Sequence, residues 1–267
     1  MNYEQQKKDL ILTTMVKYEW ETVKPFFKSL ERTGFSGEVV IFFNQVDKNT
    51  RRAIKMLNIY VTLIPFSQKG LESIFYIADY RYYLFNNFLK KYGYRYNNVL
   101  LSDVRDVIFQ IDPFKANWKS DSITVAKEAK LLKENLWNTR WVLSKFGNYI
   151  YNQLQNEPII CAGTTYGPTN QILHYFNQMI HYLFYTDYVL NTDQAVHTYI
   201  VHTGKINPVT FSDNHHGPIM TLELENESDI KINENKQILL KNGDIAPIVH
   251  QFDRYPHLTN LVKALYN

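Results

Sequence analysis

The sequence predicts an α/β protein: a mostly parallel central sheet with helices on both faces and a small additional β element in the C-terminal half. Two observations carry this. Over the first hundred residues, short apolar runs of strand length alternate with longer stretches whose apolar residues recur every three or four positions. The single cysteine among 267 residues excludes a disulfide scaffold, so the fold must rest on an apolar core. Strands separated by helical crossovers pair in parallel, and right-handed crossovers place helices on both faces.

Leu10-Ile11-Leu12-Thr13-Thr14 suits a buried strand. Glu19 to Arg32 reads as a helix with Val23, Phe26, Phe27 and Leu30 on one side and Gly34 closing it, and Pro25 is expected to mark its true first turn. Glu38 to Phe43 is a second strand stopped by Asn44. Asn49 to Leu57 is a basic helix, and Tyr60 to Ile64 a third strand closed by Pro65. Leu71 to Tyr92 reads as the longest helix, with Leu71, Ile74, Phe75, Ala78, Tyr82, Phe85, Leu89 and Tyr92 on one buried face. Asn98 to Leu101 is a fourth strand, ending in Ser102-Asp103-Val104-Arg105-Asp106.

The second half is less regular. Ile123 to Ala126 is a strand followed by Lys127-Glu128, Asn138 to Phe146 is helical, and Pro158 to Gly163 is a strand running into small residues. Thr169 to Tyr185 is an amphipathic helix with Ile172, Tyr175, Phe176, Met179, Ile180 and Phe184 inward. Thr192 is expected to cap a helix over Asp193 to His202 with its hydroxyl. Ile219 to Leu222, Gln237 to Leu240 and Pro247 to His250 are short strands, Asn242-Gly243-Asp244 is a turn, and Leu258 to Tyr266 closes the chain as a helix. No repeat or linker interrupts this order, so residues 1–267 are expected to form one domain.

Composition narrows the function classes. At 45% hydrophobic and 21% charged, the chain is ordinary globular protein rather than disordered sequence. A net charge of +3 argues against a dedicated nucleic-acid binder. Lys7 and Lys8 precede an apolar stretch, but Asp9, Thr13 and Thr14 interrupt it too early for a signal peptide. No apolar run reaches the ~18 residues of a membrane span. With one cysteine, these features lead us to expect a soluble cytoplasmic protein. Aromatic residues are abundant at 15%, with 20 Tyr and 16 Phe.

In parallel sheets ligands bind beyond the carboxyl ends of the strands. That rule selects Thr13, Thr14, Asn44, Asp103 and Asp106. Two carboxylates three residues apart in a tight turn can converge on one hard divalent cation, Mg2+ or Mn2+, and the cation can bridge a diphosphate. A turn merely capped by aspartates has the same pattern.

The segment Val99-Leu100-Leu101-Ser102-Asp103-Val104-Arg105-Asp106-Val107-Ile108-Phe109-Gln110, followed by Asp112-Pro113-Phe114, resembles the metal-binding "DxD" strand of nucleotide-sugar glycosyltransferases of the GT-A fold, of the type that builds bacterial polysaccharides and glycolipids. The resemblance implies a Rossmann-like, GT-A-like architecture, with a nucleotide-binding half over about residues 1–115 and an acceptor half over about 116–267. This chain has D-x-x-D where most of the family has D-x-D. The following Val-Ile-Phe aligns best with Asp106 as metal ligand and Asp103 as metal or ribose contact.

Further segments extend the resemblance. Ile77 to Tyr83 is similar to a family segment whose arginine faces the donor phosphates, here Arg81, whose planar fork suits a phosphate or Asp103. Pro158 to Gly167 resembles the strand beside the donor sugar, where Gly163 would let backbone approach closely. Cys161 replaces the family's asparagine there and reads as buried packing. Asn191-Thr192-Asp193-Gln194 resembles the "DQ" segment of retaining members such as glycogenin-like enzymes. It implies Asp193 and Gln194 as catalytic, acting as base toward an acceptor hydroxyl or supporting an oxocarbenium-like transition state. Simple helix-dipole complementarity would also explain Asp193. His250 is implied as a third metal ligand, with Arg254 and Arg105 toward the donor. His215 and His216 compete with it. His197 and His202 do not share a helix face, so a zinc helix is disfavoured.

The expected function is metal-dependent transfer of a sugar from a nucleoside diphosphate donor to a saccharide or glycolipid hydroxyl. The donor is a UDP-sugar by preference or a GDP-sugar, and the cofactor Mn2+ or Mg2+. The implied setting includes peripheral association with the inner face of the cytoplasmic membrane. The alternative is a non-catalytic nucleotide-sugar- or carbohydrate-binding relative. A sugar-nucleotide pyrophosphorylase is disfavoured because no glycine follows the first strand until Gly34. Exposed tyrosines near Tyr149-Tyr151 or Tyr166 are candidates to stack on acceptor rings.

Overall fold

The computed structural model describes residues 7–266. In chain order its elements are β1 (Lys8–Val16), α1 (Trp20–Arg32), β2 (Glu38–Asn44), α2 (Lys48–Lys55), β3 (Tyr60–Pro65), α3 (Ile77–Tyr92), β4 (Tyr96–Ser102) and β5 (Val107–Phe109). There follow β6 (Ile123–Leu131), α4 (Leu136–Leu154), β7 (Pro158–Pro168), α5 (Thr169–Phe184), α6 (Asp193–His202), β8 (Val209–Ser212) and β9 (Ile219–Thr221). The chain ends with β10 (Lys231–Ile232), β11 (Ile238–Leu239), β12 (Ile248–His250) and α7 (Pro256–Tyr266).

The central sheet has seven strands in the order β3-β2-β1-β4-β7-β6-β8. β3, β2, β1 and β4 are parallel to one another, and β8 is parallel to β6. Only β7 is reversed, pairing antiparallel with β4 and β6. The sheet is therefore mostly parallel, as the alternating pattern predicts. β1 is flanked by β2 on one side and β4 on the other, which makes its carboxyl end a topological switch point, the place where such sheets leave a crevice.

Side chains alternate across the sheet and divide the core in two. Leu10, Leu12, Val99 and Leu101 face Tyr82, Phe85, Phe176 and Met179 of α3 and α5. Ile11, Ile41 and Leu100 face Phe26, Phe27, Leu30 and Ile54 of α1 and α2. A second, three-stranded sheet, β5-β12-β9, packs under α7 through Ile108, Met220, Val249, Leu258 and Val262. With the β10–β11 pair it forms the small β element, drawn from the C-terminal half except for β5.

Several local expectations are corrected. The helix predicted from Leu71 is broken: Gly70–Ile74 is a 3-10 turn, Phe75 and Tyr76 are extended, and α3 starts at Ile77. Ile74 is accordingly exposed. The Phe75 ring packs against Tyr80, Phe184 and Tyr188, and the Tyr76 N–H donates to the Tyr188 hydroxyl at 2.9 Å, so tertiary contacts replace the helical ones. Pro25 does not mark the first turn. It lies inside α1, buried, and the N–H it lacks would have bonded the carbonyl one turn earlier. Thr192 occupies the cap position of α6, but its hydroxyl donates to the Val189 carbonyl. The buried Asp79 carboxylate accepts the Asn191 and Thr192 N–H groups instead. Leu183 rather than Phe184 is the fully buried residue at the end of α5. Helix α4 runs well beyond the predicted 138–146, with a break at Gly147, whose φ of 74° suits glycine. Among the described residues no helix is long and apolar enough to cross a membrane.

Candidate active site

The acidic turn is where the chain changes sheets. β4 delivers Ser102 to the carboxyl edge of the large sheet, and the Asp103 N–H still bonds the Gly163 carbonyl of β7 at 2.8 Å. Four residues later Val107 pairs with His250 in the small sheet, and the Asp106 carbonyl accepts the Gln251 N–H at 2.8 Å. The D-x-x-D spacing is thus the length of this crossing, with one acid anchored to each sheet. His250 Nε2 lies 3.6 Å from an oxygen of each aspartate. One ligand atom from each of the three residues falls within 4.8 Å of the others, and among the described residues this is the one His/Cys/Asp/Glu trio so arranged.

The trio fits a hard or borderline divalent cation. Two carboxylates and an imidazole form an oxygen-and-nitrogen donor set suited to Mn2+ or Mg2+. Gly163 keeps the space open, because a Cβ there would stand 2.7 Å from both Asp103 Oδ2 and His250 Nε2. Burial opposes ionisation of both aspartates, yet they are held below the usual carboxylate range. Arg81 and His250 do this for Asp103, and His250 and Arg105 for Asp106. Burial likewise opposes a charge on His250, but Cys161 and the two aspartates hold its pKa well above the ordinary value. The buried Cys161 Sγ sits 3.4 Å from His250 Nδ1, so the ring is oriented with Nε2 toward the acids.

Arg81 stands behind the trio. It is buried on α3, with Nη1 donating to Asp103 at 2.5 Å and Nη2 to Asp193 at 2.9 Å and to the Ala162 carbonyl at 3.1 Å. Of its two expected partners, phosphate or Asp103, the structure supplies Asp103. The same guanidinium joins β4, β7 and the first turn of α6. Gln194, next along α6, donates through Nε2 to Asn138 Oδ1 at 2.8 Å and to Glu128 Oε1 at 3.3 Å.

Glu128 is the group the sequence reading missed. Its own rule would have found it, since Lys127-Glu128 directly follows an apolar strand run. The side chain is 4% exposed, lines the same cavity, and its Oε2 has no hydrogen-bond partner. Burial first, then the charge of Glu223, pushes its pKa up to about 7 from 4.5. The folded protein therefore holds a proton here that the unfolded chain releases, and stability falls as pH rises through that window. Glu128→Gln, which keeps the shape without the charge, is expected to be more stable than wild type by up to ~3 kcal/mol near pH 8. Around pH 4 the two should match. Urea unfolding at the two pH values measures both.

These groups surround one cavity of about 440 Å3. Thr14, Arg105, Asp193, Gly163 and Arg254 line it with Asp103, Asp106, His250, Arg81, Gln194 and Glu128. Thr13 and Asn44 do not. Thr13 points to the opposite face of β1 from Thr14 and is fully buried. Asn44 lies one strand further out, where its carbonyl accepts the Lys17 N–H at 3.1 Å. The two surface arginines are committed to acids: Arg105 to Asp106 and Asp253, Arg254 to Glu223 and Asp253. His197 is buried against the Tyr175 hydroxyl and His202 bonds the Pro158 carbonyl, so neither reaches the cavity. His215 and His216 sit in the loop after β8 beside Asp213. Tyr166 is not an exposed platform: it is buried and stacked on Trp118 with ring centroids 3.8 Å apart. Tyr149 is exposed, Tyr151 packs from α4 into the small core beneath that helix, and neither lines the cavity.

No family model and no curated protein matches this sequence. Solved structures do. An active-site mutant of LgtC superposes with a TM-score of 0.59 at 12% identity, covering 96% of this chain and 95% of that one. The galactosyltransferase LgtC in complex with donor and acceptor sugar analogs superposes with a TM-score of 0.57, also at 12% identity and over the same shares of the two chains. The chain therefore has the GT-A-like glycosyltransferase fold, with its acidic turn at the switch point of the sheet.

Proposed function

We propose that this protein is a metal-dependent glycosyltransferase, moving a sugar from a nucleoside diphosphate to a hydroxyl of a saccharide or glycolipid. The observation that carries the reading is the convergence of Asp103, Asp106 and His250 at the switch point, in a cavity shared with Gln194 and Glu128. Residues 1–115 form the donor half and 116–267 the acceptor half. A UDP-sugar is the preferred donor, and the single buried cysteine suits a cytoplasmic setting.

Asp103, Asp106 and His250 would hold Mn2+ or Mg2+, which supplies charge compensation for the departing diphosphate. Thr14, Val16 and Tyr18, at and just beyond the end of β1, receive the nucleoside. Arg105 and Arg254 keep part of their guanidinium surface open to the cavity and face the phosphates. Asp193 is engaged by Arg81, so it holds α6 in place. Gln194 is the group beside the anomeric carbon: its amide N–H bonds to Asn138 and Glu128 leave the carbonyl oxygen for the developing positive charge. Glu128, its pKa raised to about 7 by burial, keeps a substantial protonated fraction at neutral pH and supplies a hydrogen bond to a sugar hydroxyl.

Ligand that binds the native state alone must raise its melting temperature. UDP or GDP together with Mn2+ is expected to do so, and EDTA to reverse the shift. If neither nucleotide moves the melt with metal present, the proposal is wrong.

A further inference from the structure

The acceptor end of the cavity carries an aromatic surface that the tyrosine reading did not anticipate. Helix α4 begins at Leu136, and Trp137, Asn138 and Trp141 of its first turns all line the cavity. Trp137 and Trp141 are one helical turn apart and so share a face. Trp141 packs partly into the small core under α4, whereas Trp137 is 62% exposed and Leu136 beside it 60%. Arg140 lies 5.7 Å from the Trp137 ring. The platform is tied to the reaction centre, since Asn138 Oδ1 accepts from Gln194, which also donates to Glu128. Glu128 is more than nine-tenths buried, and its Oε2 has no partner.

Trp137 and Leu136 together form an exposed apolar surface at the rim of the cavity, and ligand pockets combine such apolar walls with a few convergent polar groups that fix orientation. A pyranose has this duality: one face of C–H groups to lie on an indole, and a rim of hydroxyls for amides and a carboxyl. We propose that Trp137, backed by Trp141, stacks on the terminal pyranose of the acceptor, while Glu128 Oε2 and Asn138 take its hydroxyls. This rests on the glycosyltransferase reading and narrows it. The acceptor is recognised as a ring-presenting glycan end, and the selectivity lies in a helix of this chain's acceptor half.

The test is saturation-transfer NMR with methyl α- and β-pyranosides of glucose, galactose, mannose and N-acetylglucosamine, on wild type and on Trp137→Ala and Trp137→Phe. No donor is added. At least one pyranoside is expected to receive saturation at its ring protons from the wild type, with a dissociation constant raised roughly tenfold in W137A and partly restored in W137F. Melting temperature and circular dichroism establish that the variants are folded, as expected for an exposed side chain. Equal saturation in wild type and W137A, or none for any pyranoside on wild type, overturns the proposal. The separate donor-hydrolysis assay decides the parent reading: pyranoside binding at Trp137 without hydrolysis would leave the platform standing and the transferase function refuted.

Discussion

Asp106→Ala is expected to lower Mn2+ affinity by roughly 100-fold or more, read by the free-Mn2+ signal in electron paramagnetic resonance. Asp106 is the acid anchored to the small sheet and 4% exposed, and His250 and Arg105 outweigh its burial and hold its carboxyl below the usual range. Without it the remaining trio members span two sheets with nothing to close the set. Asp253→Asn provides the control. Asp253 touches Arg105 and Arg254 from outside the trio, so its loss perturbs the same surface charges without removing a ligand. Wild-type affinity in D106A would place the cation elsewhere.

Arg81→Met should cost about 3–5 kcal/mol of stability, because it strands two carboxylates that the guanidinium now neutralises. In a chain of this size that corresponds to a fall in melting temperature of about 10 °C. The pH dependence separates charge from packing. Burial and the Asp103 charge already push Asp193 above its ordinary pKa, with Arg81 opposing them. Removing Arg81 raises the folded-state pKa of both Asp103 and Asp193 further. The variant's deficit should therefore be large near pH 8 and shrink as pH falls and both acids take up protons. A deficit constant with pH would mean that Arg81 acts by packing alone.

The sheet was legible because its strands are buried on both faces and read as continuous apolar runs between helical periods. The reversal of β7 was not, since an apolar run carries no direction. Helix ends were read poorly where side chains from distant elements decided them, as at Phe75 with Tyr188 and at Thr192 with Asp79. The acidic turn was visible because two acids directly follow a buried strand. Its two-sheet construction depends on the pairing of Val107 with His250, far apart in the sequence, which no local pattern reveals. Thr13 and Thr14 satisfy the same strand-end rule, but neighbours on a strand face opposite ways, so only Thr14 reaches the cavity. Glu128 follows the apolar run of β6 and so meets the strand-end rule, but a lone glutamate there has the pattern of a solvated strand end, and its burial depends on tertiary packing. The tyrosine excess gave no position at the cavity: Tyr166 is buried, Tyr149 and Tyr151 lie outside the lining, and an exposed indole there belongs to Trp137.

The most direct measurement is hydrolysis of nucleoside diphosphate sugars by the purified protein, scored over UDP- and GDP-linked hexoses with and without Mn2+. The structure predicts slow release of nucleoside diphosphate from at least one donor, abolished by EDTA, restored by Mn2+ and absent in D106A. Failure to hydrolyse any donor, or hydrolysis indifferent to EDTA and to Asp106, would contradict a metal-dependent glycosyl transfer centred on Asp103, Asp106 and His250.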